Sequence, residues 1–162
     1  MKKAVHTTSA PVQRIDVPIE VKVLIHAPIE NVYQTLTTSE GWDAWFTTGM
    51  TLDLSKKEDF EFVWKDWGVD HISTKVRAKV KSYSDNQHFS FYWNYGLHNG
   101  PTLVCIEMKD TVKGVIIKLT ETGYPDSNEG CAMLVDCSTG WGEALTLLKF
   151  YLEKNISTKG DF

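Results

Sequence analysis

Two carboxylates stand where acid–base chemistry would be expected. Asp66 follows Trp64 at strand spacing, and Glu107 interrupts the apolar run Leu103 to Met108. A carboxyl held in an apolar hollow loses hydration of its charged form, so its pKa rises and it can move protons. The competing reading has Asp66 begin a turn into Trp67-Gly68 and Glu107 face solvent, and the local alternation favours it. Tyr92, Tyr95 and His98 supply hydroxyl and imidazole groups that suit either a cavity mouth or a half-buried sheet edge.

Other chemistries find no support in the spacing. No two of His6, His26, His71, His88 and His98 stand at i, i+2 or i, i+4, and no Cys-x-x-Cys occurs, so no metal site is expected. Cys131 and Cys137 lie six apart on one helical segment and read as small core residues. There is no Gly-x-Ser-x-Gly elbow. Neither Gly-x-x-x-x-Gly-Lys nor Gly-x-Gly-x-x-Gly is present to cradle phosphates. No cofactor is called for, and the residues favour binding over catalysis.

Large flat side chains are the unusual feature: 6 Trp, 6 Tyr and 7 Phe in 162 residues. Trp45, Phe46, Phe60, Phe62, Trp64, Phe91, Trp93 and Trp141, with Leu145, would all fit a filled core. An indole in a dry core needs a partner for its N–H, however, so several tryptophans converging from three segments fit a ligand hollow equally well. Asp66, Tyr95 and His98 are the candidate polar contacts of such a hollow.

Those residues must be positioned by a chain long enough for one domain with its own core. We read residues 1–12 as a flexible arm, 13–156 as the domain and 157–162 as a tail. The net charge is −4. Lys75, Arg77, Lys79 and Lys81 alternate with Thr74, Val76, Ala78 and Val80, as on the solvent face of a strand, so no nucleic-acid groove is indicated. No apolar run is long enough to span a bilayer, and residues 1–11 lack the apolar centre of a signal peptide. Three cysteines imply no disulfide framework, which points to a reducing, cytoplasmic setting.

Ile15, Val17, Ile19, Val21, Val23 and Ile25 alternate as one long strand, its early part placed at an edge or bulge by Pro18. Pro28 opens a helix carrying Ile29, Val32, Tyr33 and Leu36. Ser39 caps a second short helix with Trp42, Trp45 and Phe46. Strands follow over Phe60–Trp64, Ile72–Val80, Phe89–Trp93, Leu103–Met108 and Val115–Leu119, with Asp110 to Gly114 turning between the last two. The period then becomes helical: Leu134, Cys137, Trp141, Leu145, Leu148 and Leu152 trace one stripe. A helix from about Ser127 to Lys154, capped by Asp126 with Glu129, would run roughly 42 Å. Gly140 and Gly142 inside it cost about 2 kcal/mol together and imply a bend or a close backbone approach. This order is not βαβ alternation. It predicts an α+β domain in which a curved antiparallel sheet, with two short helices after its first strand, wraps round the long terminal helix.

Ile25-His26-Ala27-Pro28 followed by Val32-Tyr33 resembles the opening of START-like (SRPBCC) domains. Trp45-Phe46, Leu119-Thr120-Glu121-Thr122-Gly123-Tyr124 and Gly140-Trp141 with Leu145 and Leu148 are similar to the heat-shock-protein-90 ATPase activator-like branch, over about residues 15–155. The resemblance implies the helix-grip fold, shared with birch-pollen-allergen-like proteins, and an apolar cavity between sheet and terminal helix. On that footing the chain is expected to be a non-enzymatic protein, monomer or homodimer, holding a small hydrophobic or aromatic molecule. The alternatives are a stress-related accessory of a chaperone and a cyclase- or dehydratase-like enzyme using a cavity carboxyl, Tyr or His.

Overall fold

The computed structural model describes residues 12–56, 59–94 and 100–157. Most of the expected arm and tail therefore lies outside the described residues. Within them the chain runs β1 (Ile19–Ile25), α1 (Ile29–Thr37), α2 (Ser39–Trp45), β2 (Asp59–Trp67), β3 (Ile72–Ser84), β4 (His88–Trp93), β5 (Thr102–Thr111), β6 (Gly114–Thr122) and α3 (Asn128–Lys154). The strands form one sheet in the order β1-β6-β5-β4-β3-β2, every neighbouring pair antiparallel. The two short helices thus carry the chain from one sheet edge to the other. Register shifts between Trp64 and Trp67 and between Val80 and Ser82 bend the strands and curl the sheet into a trough.

Period two sets what lies in that trough. Ile19 and Ile25 of β1, Phe60 and Phe62 of β2, Phe89 and Phe91 of β4, Val104 and Ile106 of β5, and Val115, Ile117 and Leu119 of β6 are buried. α3 lies across the concave side and adds Trp141, Ala144, Leu145, Leu147 and Leu148. Its 27 residues span about 40 Å. The far end is pinned to β1: Lys149 Nζ donates to the Leu24 carbonyl and to Glu153 Oε1, and the same Oε1 accepts the His26 backbone N–H at 2.7 Å.

Local chemistry departs from the sequence expectation in instructive ways. β1 starts only after Pro18, whose missing N–H cannot join a ladder; Ile15 hydrogen-bonds the Tyr124 carbonyl instead. Pro28 occupies the N-cap position of α1 with ψ 141°, one residue before the first turn expected of it. Thr38, not Ser39, caps α2: its hydroxyl accepts from Gly41 N at 3.0 Å, while Ser39 donates to the Leu52 carbonyl. Ser127, not Asp126, caps α3, accepting from Gly130 N at 3.0 Å. Gly130 is required there, since a Cβ would lie 1.9 Å from the Pro125 carbonyl oxygen. Gly140 and Gly142 sit in open space instead, with nothing within 4 Å of a Cβ built on either, so neither marks a close approach. Cys131 is exposed rather than core. β5 and β6 run on to a two-residue turn at Val112-Lys113, longer than the alternation predicted. The basic stripe of β3 faces β2 carboxylates, Lys75 with Glu61 at 3.1 Å and Arg77 with Asp59 at 3.9 Å; exposed pairs of this kind contribute little stability.

Candidate functional site

At one end of the trough the sheet and α3 do not close on each other. A cavity of about 250 Å³ remains there, walled by Phe46 just after α2, Trp64 of β2, Trp93 of β4 and Trp141 of α3, with Asp136, Cys137 and Gly140 completing the helix side. Its volume is below the roughly 300–1,000 Å³ of drug-sized sites, so an occupant would be small. The rings meet as walls rather than as a stack. Phe46 and Trp64 lie 5.4 Å apart at 84°, Trp64 and Trp93 6.4 Å at 81°, Trp93 and Trp141 5.5 Å at 53°.

Alternation explains why these residues are there. Phe60, Phe62 and Trp64 share the inward face of β2, as Phe89, Phe91 and Trp93 share that of β4. Only the last of each series reaches the open end. Trp64 and Phe46 are half-buried, whereas Phe60, Phe62 and Phe91 are buried. The aromatic set expected to line a hollow therefore divides. Phe46, Trp64, Trp93 and Trp141 wall the cavity. Trp45, Phe60, Phe62, Phe91 and Leu145 belong to the filled core.

Behind Trp141 lies a buried carboxyl. Glu121 of β6 is 0% exposed; its Oε2 accepts the Trp141 indole N–H at 2.6 Å, and its Oε1 bonds the Thr102 hydroxyl. Burial pushes the Glu121 pKa up, and these two hydrogen bonds oppose the shift only in part. The Tyr124 hydroxyl nearby is buried without a hydrogen bond of ordinary geometry, and burial, then the Glu121 charge, drives its pKa up. Burial also raises the pKa of Cys137, which leaves its thiol protonated and a poor nucleophile. The Glu121 cluster was legible in principle. The inward series Val115, Ile117, Leu119 continues by twos onto Glu121, a carboxylate on a buried face.

Of the carboxylates and polar residues expected at the cavity, those described fall elsewhere. Asp66 sits at the bulged end of β2 with φ 54°. Its side chain is 78% exposed and paired with His71 Nδ1 at 2.7 Å, so it turns the hairpin and does not face the cavity. Tyr95 and His98 lie outside the described residues. Glu107 is exposed, 3.8 Å from Lys118 on the outer sheet face. Tyr92 is on that face too, with Lys81 Nζ 5.9 Å from its ring centroid. Among the described residues no group of three or more His, Cys, Asp or Glu side chains is placed to hold a metal ion, and no helix is long and apolar enough to cross a membrane.

The same arrangement of strands and helices recurs in solved structures. The solution structure of the Aha1 dimer from Colwellia psychrerythraea matches with a TM-score of 0.70 at 18% identity, covering 85% of this chain and 97% of that one. A Bacillus halodurans protein solved in solution matches with 0.69 at 21% identity, over 86% of this chain and 99% of that one. DynU16, a protein of the dynemicin biosynthetic locus, matches with 0.73 at 15% identity, over 90% of this chain and 50% of its own. At such identities these likenesses carry the fold. Among curated proteins no sequence matches. The family model for Activator of Hsp90 ATPase homolog 1-like protein spans residues 26–153, and the chain, with its curled six-stranded sheet gripping α3, belongs to that family.

Proposed function

We propose that the chain is a binding protein that holds a small apolar or aromatic molecule in the cavity between Trp64, Trp93 and Trp141, without transforming it. The observation that carries this reading is Gly140. An alanine in mid-helix would be more stable by about 0.5–1 kcal/mol, and a Cβ there would meet no atom within 4 Å. Packing gives no reason for the glycine, and Gly140, unlike Gly142, stands on the helix wall of the aromatic hollow, where a missing side chain leaves space. The cyclase-like alternative is weakened by the placement of Asp66 and Glu107 toward solvent and by the raised pKa of Cys137.

Tryptophan emission should change saturably as para-tert-butylphenol or a cell lipid extract is titrated in, because three indoles form the wall. Gly140→Leu, which fills the space, should abolish the change. No saturable change at any concentration, or an equal one in Gly140→Leu, would overturn the reading. The family match supports a second reading, contact with an Hsp90-type chaperone. Adding the chain to an Hsp90 homologue should then raise its ATP turnover; unchanged turnover together with no co-purification counts against that reading.

A further inference from the structure

We infer that the cavity selects an organic cation, a small alkylated ammonium group carried on an apolar body, over a neutral molecule of the same shape; this rests on the cavity being a binding site. Stacked rings would offer one face to a flat ligand. Here successive rings turn by 84°, 81° and 53°, so the wall suits a compact group better than a flat one. Three of the four rings are indoles, the side chain whose π face attracts cations most strongly.

The charges around the box have one sign. Among its described lining residues there is no Lys, Arg or His, and the one charged side chain is Asp136 at the rim. Glu121 acts from behind the wall through its hydrogen bond. Its carboxyl accepts the Trp141 indole N–H at 2.6 Å, which polarises that bond and leaves the indole ring more electron-rich. A neutral aromatic ligand would gain less from either carboxyl. For a cation the Asp136 carboxylate adds to the quadrupole attraction of the rings.

The test compares para-hydroxyphenyl-trimethylammonium with para-tert-butylphenol, which differ in charge and hardly in shape, by titration calorimetry on the full chain. The cation should bind about tenfold tighter. Asp136→Asn should cut that preference by about half or more, weakening the cation far more than the phenol. Trp64→Leu, which keeps an apolar side chain on a half-buried position, should cost the cation more than the phenol. Equal affinities, or tighter binding of the phenol, would overturn the cation inference while leaving the binding reading intact. Failure of both probes to bind would overturn both.

Discussion

The two ends of the trough use the same kinds of side chain to opposite effect. At the closed end Phe60, Phe62, Phe89 and Phe91 are 2% exposed or less, with ring centroids 5.1 to 6.4 Å apart. At the open end Phe46, Trp64, Trp93 and Trp141 touch in series but surround a void. The sheet cannot be the cause, because β2 and β4 each deliver an aromatic at every second residue to both ends, as Phe60, Phe62 and Trp64 and as Phe89, Phe91 and Trp93. α3 makes the difference. Toward the closed end it presents Ala144, Leu145 and Leu148; toward the open end it presents Cys137 and Gly140. A hollow arises where the helix withholds volume, not where the sheet lacks it.

The largest effect that would sharpen this contrast is a pair of truncations. Phe91→Ala should cost about 3–5 kcal/mol, the usual loss for a buried phenylalanine that leaves a cavity behind. Trp64→Ala, removing a larger but half-buried ring from a wall that already borders a void, should cost no more than about 2 kcal/mol. Urea unfolding of both variants checks the difference. Equal losses would mean that the open end is packed as tightly as the closed one.

Glu121 lies at the seam between the two ends, and its effect depends on pH. Its folded pKa is raised by burial, above an unfolded value of about 4.3. Below the unfolded value both states hold the proton and nothing is lost. As pH rises past it, the unfolded chain ionises while the folded carboxyl still binds its proton, so stability falls until the folded group ionises as well. Glutamine keeps both contacts, since its carbonyl can accept the Trp141 N–H and its amide can donate to Thr102. Glu121→Gln should therefore unfold at higher temperature than the parent chain near pH 8 and match it near pH 4. A difference that stays constant with pH would show that the carboxyl is not buried as described. Glu153 runs the other way. Lys149 holds its pKa down, so its contribution is present above the unfolded value and is lost as pH falls through the folded one; Glu153→Gln should flatten that acid limb, by a smaller margin because the pair anchors only the end of α3.

How much of this was legible beforehand follows from which forces act locally. Strand and helix identities came from alternation and from the Leu134-to-Leu152 stripe, because burial imposes a period on the sequence itself. Cap residues were misplaced by one, at Ser39 for Thr38 and Asp126 for Ser127, since neighbouring polar residues compete for the same orphan N–H and only backbone geometry decides between them. Asp66 was legible as a turn residue and not as a cavity contact, for the bulge after Trp64 breaks the alternation on which a facing argument depends. The division of the aromatic set was not legible at all. Phe62 and Trp64 follow the same rule along β2, and what separates them lies elsewhere in the chain: Trp42 of α2 packs on Phe62 at 5.0 Å, while Trp64 borders the hollow that α3 leaves at Cys137 and Gly140.

The smallest expected effect tests that last point most directly. Gly140 and Gly142 share one helix and the same open surroundings, yet Gly140 lines the cavity and Gly142 does not. Alanine at either position should stabilise the chain by about 0.5–1 kcal/mol, because each gains helix propensity and meets no clash. Ligand affinity should separate them. Gly140→Ala adds a methyl to a residue that lines the hollow and should weaken binding of para-tert-butylphenol, whereas Gly142→Ala should leave it unchanged. Paired urea melts and probe titrations read both quantities on the same samples. Were both variants to lose affinity equally, the glycines would be acting through helix flexibility rather than through space, and the contrast between the ends would rest on dynamics instead of on the volume α3 leaves empty.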